Sequence, residues 1–316
     1  MALISFIIPH KGRFEMLLET IGSVGQQNFD LANIEIIVVS QTPSISEVTL
    51  PSLGVEIKTF IRPECETISA LRNFGVKNST GEFLAFLDAD IFLSNNWVES
   101  MLSELSTNPN RIITSAVQIC KQSSPPLEKI RTHLSNVEVD KNVSFLPGRN
   151  LFMSKQSFYK IGEFPEHLVT CEDYFFTDKA AKIGELFYSS AASYTHLGED
   201  KQFAAMFSKE VWRGQSNLRS LEGRKIPIRE WPSIIVPPVI LICLLVSLLS
   251  LILGFTGVFV TSLLLALIPL CAYTIRLWRI AKADVSFLNI LLFYITYFPA
   301  RALGTFLGLF KTITVK

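Results

Sequence analysis

The chain has 316 residues, with 29 lysines and arginines against 28 aspartates and glutamates, a formal net charge of +1. That length suits one sizeable α/β domain plus an appendage, and so even a balance leaves no global field to gather nucleic acid. At 49% hydrophobic and a mean hydropathy of +0.35, the composition excludes both an ordinary soluble protein and a purely membrane-embedded one.

Two unlike parts are averaged in those figures. Between Trp231 and Ile275 stand 45 residues without one Asp, Glu, Lys, Arg or His, about twice the ~20 that cross a bilayer once. The first 230 residues carry nearly all the acidic side chains. Five scattered cysteines (Cys65, Cys120, Cys171, Cys243, Cys271) show no metal-ligand spacing and read as reduced thiols, packed as small hydrophobes in a cytosolic compartment.

In chain order, Leu3–Ile8 reads as a buried strand. Met1–Pro9 has no basic n-region and too short an apolar run for a signal peptide, so the domain is expected to start and stay in the cytoplasm. Phe14, Leu17, Leu18, Ile21 and Val24 recur at helical spacing. Ile34–Val39 is read as a second, fully apolar strand and Val55–Phe60 as a third of alternating character. Ile68, Leu71 and Phe74 mark a helix ended near Gly81, and Phe83–Leu87 is a fourth strand running into Asp88-Ala89-Asp90. This alternation predicts an α/β domain with a mainly parallel sheet wrapped by helices. Arg111–Cys120 reads as a strand, Ser123–Pro126 as a turn, and 127–142 as a polar segment without regular structure. Order returns at 145–153. Helices follow over 154–162 and 171–184, then short strands at 186–190 and 193–197, and a helix from Glu199 to Leu221 that leads to the membrane.

The tail divides into apolar segments at about 233–254, 255–275 and 286–310, each ~20 residues. The first is expected to become helical just after Pro237-Pro238. Arg213, Arg219, Arg224, Lys225 and Arg229 precede it, and Arg276, Arg279 and Lys282 follow the second. The positive-inside rule places both basic stretches in the cytoplasm. The third segment carries Pro299 and Arg301 near its middle; it either crosses with Arg301 facing another helix or lies in the interface, and crossing is the narrow preference.

Asp88 and Asp90 lie where a strand of a parallel sheet ends, the place where such sheets bind ligands. Held ~4 Å apart, two carboxylates repel by roughly 4 kcal/mol at an effective dielectric of ~20. A divalent cation, Mn2+ or Mg2+, relieves that repulsion and could bridge a diphosphate leaving group.

The succession FIIPHKGRFEMLLETIGSVGQQ, IEIIVVS, ALRNFGVKNSTGEFLAFLDAD, PGRNLFMSKQSFYKIGEF and EDYFFTDKAAKIG resembles a family 2 glycosyltransferase of the GT-A fold over about residues 3–215, most specifically at 69–90. The apolar tail after a basic, Trp-containing segment is similar to members that extend glycans on polyprenyl lipids. The resemblance implies a Rossmann-like catalytic domain at 1–225 and a membrane domain at 226–316. It implies that Asp88 and Asp90 form the DxD, with Asp90 the metal ligand and His196 a further candidate ligand. Pro9, His10 and Lys11 would line the base and ribose, and Arg72 would sit near the diphosphate. Asp173, beside Glu172, would be the general base on the acceptor hydroxyl, and Gly148, Arg149, Trp212 and Arg213 would meet the acceptor. The helix dipole offers a structural reason for Glu172-Asp173 as well.

One departure is plain. Where the family carries acidic residues after the second strand, this chain has Val39-Ser40-Gln41-Thr42; Gln41 can still donate to and accept from a base, and a UDP-sugar is the default donor. The expected protein is thus a multi-pass enzyme of the cytoplasmic membrane. It would move a sugar, with inversion, from a nucleotide-sugar to a polyprenyl-linked or other membrane acceptor, and would bind no nucleic acid. The alternative is a non-catalytic nucleotide-binding scaffold anchored in the same way.

Overall fold

The computed structural model describes residues 2–47, 50, 53–218, 221 and 228–314. The chain divides into two compact units, residues 1–120 with 135–198, and residues 121–134 with 199–316.

The first unit is built on a nine-stranded sheet. Strands β1 (Ile4–His10), β2 (Ile34–Ser40), β3 (Glu56–Ile61) and β4 (Phe83–Leu87) pair in parallel in the order β3-β2-β1-β4. Every residue of β1 and β2 is buried, as expected of strands covered on both faces. Alternation splits them between two cores. Phe6, Ile8 and Val38 pack with Leu17 and Ile21 of α1 (Phe14–Val24) and with Trp97 and Met101 of α3 (Trp97–Thr107). Ile7, Ile37 and Val39 pack with Leu71 of α2 (Ile68–Lys77), Phe158 of α5 (Lys155–Ile161) and Phe176 of α6 (Glu172–Ala180).

Beyond β4 the sheet turns mixed. Strand β8 (Asn150–Ser154) joins β4 antiparallel, and β6 (Arg111–Ile119), β9 (Glu185–His196) and β5 (Ile91–Leu93) follow, with β7 (Lys141–Val143) on the side of β9. The parallel half is the part the strand–helix alternation foretells. The two short strands expected at 186–190 and 193–197 are one strand, β9, whose register against β6 shifts between Ala116 and Val117, an irregularity of the kind a bulge makes. Strand β5 and helix α3 were not anticipated.

Helix α2 starts at Thr67, whose side chain accepts from the Ala70 amide, and α5 at Ser154, which accepts from Ser157 and ends at Gly162 in the left-handed conformation; these are ordinary start and stop signals. Within β2, Glu35 is fully buried. Its carboxylate accepts from Ser5 Oγ at 2.6 Å, Lys58 Nζ at 2.7 Å and Thr80 Oγ1 at 2.9 Å. Burial alone would raise its pKa, but these bonds hold it down at about 2. One carboxylate thereby ties β1, β2 and β3 to the turn that launches β4.

The second unit contains α4 (Pro126–Ser135), α7 (Phe203–Gly214) and the three long helices α8 (Trp231–Ile252), α9 (Thr256–Ala281) and α10 (Phe287–Thr314). Helix α4 corrects the expectation of an irregular polar segment at 127–142. Leu127, Ile130 and Leu134 form one apolar face, a short i, i+3, i+7 signal submerged among charges. Three helices, Trp231–Ile252, Thr256–Ala281 and Phe287–Phe310, are long and apolar enough to cross a membrane. The first begins at Trp231, with Pro237 and Pro238 inside it, not after them; near a helix start the carbonyls that lose their N–H partners lie within reach of polar surroundings. Arg219, Arg224 and Lys225, and the boundary expected at 225/226, lie outside the described residues.

Candidate active site

The carboxyl ends of the strands collect the chemistry. Arg72, on the inner face of α2, is 1% exposed. Its guanidinium donates from Nη2 to Asp88 Oδ1 at 2.9 Å and from Nη1 to Glu172 Oε1 at 2.8 Å, and lies 5.1 Å from the centre of the Phe164 ring. Three residues separated by 16 and 100 positions are thus joined by one planar cation, which the fork geometry of arginine permits. Asp88 follows β4 directly, and Glu172 opens α6 behind Cys171, itself in the left-handed region at φ 64.

Glu172 is nearly buried. Burial, and then the charge of neighbouring Asp173, push its carboxyl up to about 7 against the pull of Arg72. Asp173 is held otherwise. Its Oδ2 accepts from the Gly148 amide at 3.1 Å and its Oδ1 from the Tyr174 amide at 2.8 Å. Only glycine fits at 148, since a Cβ there would stand 2.9 Å from Arg72 Nη1 and 3.1 Å from Asp173 Cβ.

Asp90 faces a second cation. Its Oδ2 accepts from Arg13 Nη1 at 3.0 Å, and its Oδ1 lies 3.4 Å from His196 Nε2. The backbone enforces the His196 contact: Ile91 pairs with His196 in the β5–β9 ladder, and the Leu197 amide donates to the Asp90 carbonyl at 2.8 Å. Gly198 then passes so close that a Cβ would land on Asp90 Oδ2 and 2.7 Å from Arg13 Nη1. Asp88 and Asp90 are thus engaged by different arginines, and among the described residues no group of three His, Cys, Asp or Glu side chains stands at metal-binding spacing. Each carboxylate has its own arginine, which removes the repulsion that adjacent acids would otherwise suffer.

At the end of β1, His10 is 2% exposed; its Nδ1 lies 2.9 Å from Ser40 Oγ, and its Nε2 is buried without a hydrogen-bond partner. Burial, and then the nearby Arg13 charge, lower its pKa and favour the neutral ring. Pro9 is buried in β1, and Lys11 is exposed, 3.5 Å from Glu64. Gln41 donates its side-chain amide to the carbonyls of Pro63 and Glu66, both at 2.9 Å, which leaves its Oε1 to accept. Arg149 is turned into its own domain: Nε donates to Tyr194 Oη at 2.8 Å, and Nη2 to Ser135 Oγ at 2.8 Å and Gln118 Oε1 at 3.0 Å. Trp212 and Arg213 belong to the second unit, where Trp212 is half exposed and Arg213 donates to Glu210 at 2.6 Å.

Arg13 and Gly198 were not singled out from the sequence. Arg13 did carry a signal, since a basic residue opening a helix opposes the dipole there, and at φ 51 it also holds a conformation uncommon outside glycine.

A Rossmann-like sheet with paired acids and a buried arginine at its strand ends defines a GT-A-type domain. The profile of glycosyl transferase family 2 matches residues 5–162. The chain belongs to that family and is a glycosyltransferase. It is 23% identical over 236 residues to glycosyltransferase AglE of Haloferax volcanii, covering 72% of this chain and 76% of that protein. It is 29% identical over 202 residues to an uncharacterized glycosyltransferase of Rickettsia conorii, covering 60% of this chain and 33% of that one. Among solved structures it is similar in fold to mannosyltransferase PcManGT from Pyrobaculum calidifontis, solved in complex with GDP-Man and Mn2+ (TM-score 0.61, 14% identity, 99% of this chain and 88% of that chain).

Proposed function

We propose that this glycosyltransferase moves a sugar from a nucleotide-diphosphate donor to a membrane-borne acceptor hydroxyl with inversion, Asp173 acting as the base. The observation that carries the reading is the Arg72 clamp. It binds the first acid of the DxD to the acid beside Asp173, so that leaving-group side and acceptor side are fixed to one rigid cation.

Asp173 suits the base role because its oxygens accept only from backbone amides among its described bonds, which orient the carboxylate without neutralising it. A base must stand within hydrogen-bond reach of the hydroxyl it deprotonates. Glu172, in contrast, is engaged by Arg72 and acts as a positioning residue. The orphaned Nε2 of His10 is what a ribose hydroxyl or base atom would satisfy, for a buried polar atom left unpaired is costly. Gln41 Oε1 offers an acceptor beside it in sequence register, as the Gln41 amide donates to the His10 carbonyl at 2.9 Å.

The donor set beside Asp90 fits a divalent cation. A carboxylate and an imidazole nitrogen side by side suit Mn2+ better than the oxygen-preferring Mg2+, and Gly198 leaves no side chain in the way. Asp90 and His196 would hold it, and when bound it would supply Lewis-acid stabilisation of the departing diphosphate. Arg13 screens Asp90 from the opposite oxygen. The acceptor is read as polyprenyl-linked because the long apolar helices hold the enzyme where such lipids are concentrated.

The test is a transfer assay on purified, detergent-solubilised full chain against UDP- and GDP-sugars with and without Mn2+. One donor should support turnover. Asp90→Asn should abolish it, and Asp173→Asn should lower kcat by about 100-fold or more while donor binding persists. Undiminished turnover in Asp90→Asn would refute the assignment.

A further inference from the structure

Length and hydropathy alone would make α10 a third span, but its two faces are unlike. Leu288, Leu292, Ile295, Leu303, Leu307 and Phe310 are 40–71% exposed, and their spacings of 4, 3, 8, 4 and 3 keep them in one stripe. The other face is occupied by protein. Within the apolar window 44% is buried, against 22% in each of the other two helices.

What covers that inner face is charged. Along its first half, Ile290 and Phe293 pack with Leu127 and Ile130 of α4, and the Arg131 guanidinium sits 5.6 Å from the centre of the Phe293 ring. Along its second half it lies on α7. A Cβ on Gly214 would stand 2.9 Å from Gly304 Cα, so the two backbones touch. Arg301 Nε is 3.2 Å from Glu210 Oε2, and Asn217 Nδ2 donates to Thr305 Oγ1 at 3.1 Å. Glu210 is fully buried and also accepts from Arg131 and Arg213, while Asp200 pairs with Arg131 and Lys209. The turn into α10 is held in the same way, His133 Nε2 lying 3.0 Å from Asp284 Oδ2.

The hairpin of α8 and α9 gives the complementary observation. The residues that join the cluster with α10, Val236 and Ile240 of α8 and Leu270, Tyr273, Leu277 and Ala281 of α9, lie in the first half of α8 and the second half of α9. The far turns are bare, with Leu248, Leu251, Ile252, Phe255 and Ile268 57–72% exposed. A third span running back beside α9 would cover those turns. Its midpoint would also sink Arg301, Glu210 and the charges of α7 to the centre of the hydrocarbon, where such groups are strongly disfavoured.

We infer that α10 does not cross the bilayer: it lies in the membrane plane on the side of α4 and α7, its Leu288–Phe310 stripe resting among headgroups and upper acyl carbons. The stripe is about 33 Å long at 1.5 Å per residue, and an amphipathic helix of that kind embeds ~5–10 Å deep. The ligand of this surface is the phospholipid interface, and the chain crosses the bilayer twice.

The two topologies put Lys311 on opposite sides. In a cysteine-free full chain, single cysteines replace Lys77 (first unit), Gly257 (hairpin tip) and Lys311, and a membrane-impermeant maleimide is applied to sealed vesicles of either orientation. Lys311→Cys should label from the same side as Lys77→Cys, and Gly257→Cys from the other; labelling of Lys311→Cys with Gly257→Cys would overturn the proposal. A bimane fluorophore on Leu292→Cys or Leu303→Cys in bromolipid vesicles gives an independent reading. In-plane packing predicts equal quenching at both positions, strongest with bromines near the headgroup. A spanning helix would separate the two by about 16 Å in depth, and unequal profiles would refute the in-plane helix.

Discussion

Replacing Arg72 by methionine should expose how far the site depends on a single cation. The side chain is 1% exposed, its two ion pairs are 2.8 and 2.9 Å long, and methionine fills the volume without the charge. Asp88 can turn to solvent, its side chain being 32% exposed, whereas Glu172 at 11% cannot. A buried carboxylate stripped of its partner costs about 3–5 kcal/mol. For a domain of this size that is a fall in Tm of roughly 6–20 °C. The loss should depend on pH in a defined direction. Burial and Asp173 already raise the Glu172 carboxyl to about 7, above the ordinary 4.5. Between those values the folded state holds more protons than the unfolded, so this group's contribution to stability falls as pH rises through the window. Removing Arg72 raises the folded pKa further. Arg72→Met should therefore be severely destabilised at pH 8 and much less so at pH 5.5, where Glu172 takes up a proton. Thermal unfolding of the full chain in detergent, with Glu172→Gln and the double variant, closes the cycle. Glu172→Gln should rescue Arg72→Met at pH 8, with a coupling of about 2 kcal/mol or more. Equal losses at both pH values, or additive effects, would refute the reasoning.

Two further outcomes follow from the same geometry. Glu35→Gln removes the carboxylate that accepts from Ser5, Thr80 and Lys58 and should cost roughly 2–4 kcal/mol at neutral pH. The wild-type group, held at about 2, contributes stability above pH 4.5 that is lost as pH falls towards 2, so the variant should show a flatter acid limb in a pH series of unfolding curves. Gly198→Ala drives a methyl against Asp90 Oδ2 and should lower kcat/KM about 10- to 100-fold by misplacing that carboxylate while Tm changes by only a few degrees; unaltered kinetics would mean that Asp90 does not need its present position.

The parallel half of the sheet was legible because β1, β2 and β4 are short buried runs set off by helices of clear period. Asp88 and Asp90 were legible because a strand points at them. What could not be read is whatever depends on partners remote in sequence. Asn150 Oδ1 accepts from Trp97 Nε1, Ser115 Oγ and the Ala116 amide; nothing in Asn150's own neighbourhood of the chain announces this. Glu35 was passed over in a run read as apolar, and its four anchoring groups lie 23 to 46 residues away. Helix α4 was missed because its apolar face is only three residues long and is completed by α7 and α10. The expected grouping of Asp88, Asp90 and His196 came from motif and resemblance; the arginines that engage two of them, Arg72 and Arg13, lie beyond what a spacing rule contains.

That pairing with arginines bears on how such a site stays folded before its ligands arrive. Four acids, Asp88, Asp90, Glu172 and Asp173, converge at the strand ends of one domain, and unneutralised they would repel by several kcal/mol at the effective dielectric of a protein. Arg72 and Arg13 answer this from opposite sides, but not alike. Arg72 is locked in against a buried Glu172, whereas the Arg13 side chain is 59% exposed and rests on a loop of two successive left-handed residues, Gly12 and Arg13. The Arg72–Glu172 pair is buried on both sides, is costly to break and so belongs to the permanent frame; in the other pair Asp90 is itself buried, at 8%, and only the cation stands in solvent, so Arg13 can withdraw if another cation takes its place. Asp90 differs from Glu172 in that its counter-charge can be exchanged from solvent, which is what the proposed metal site asks of it.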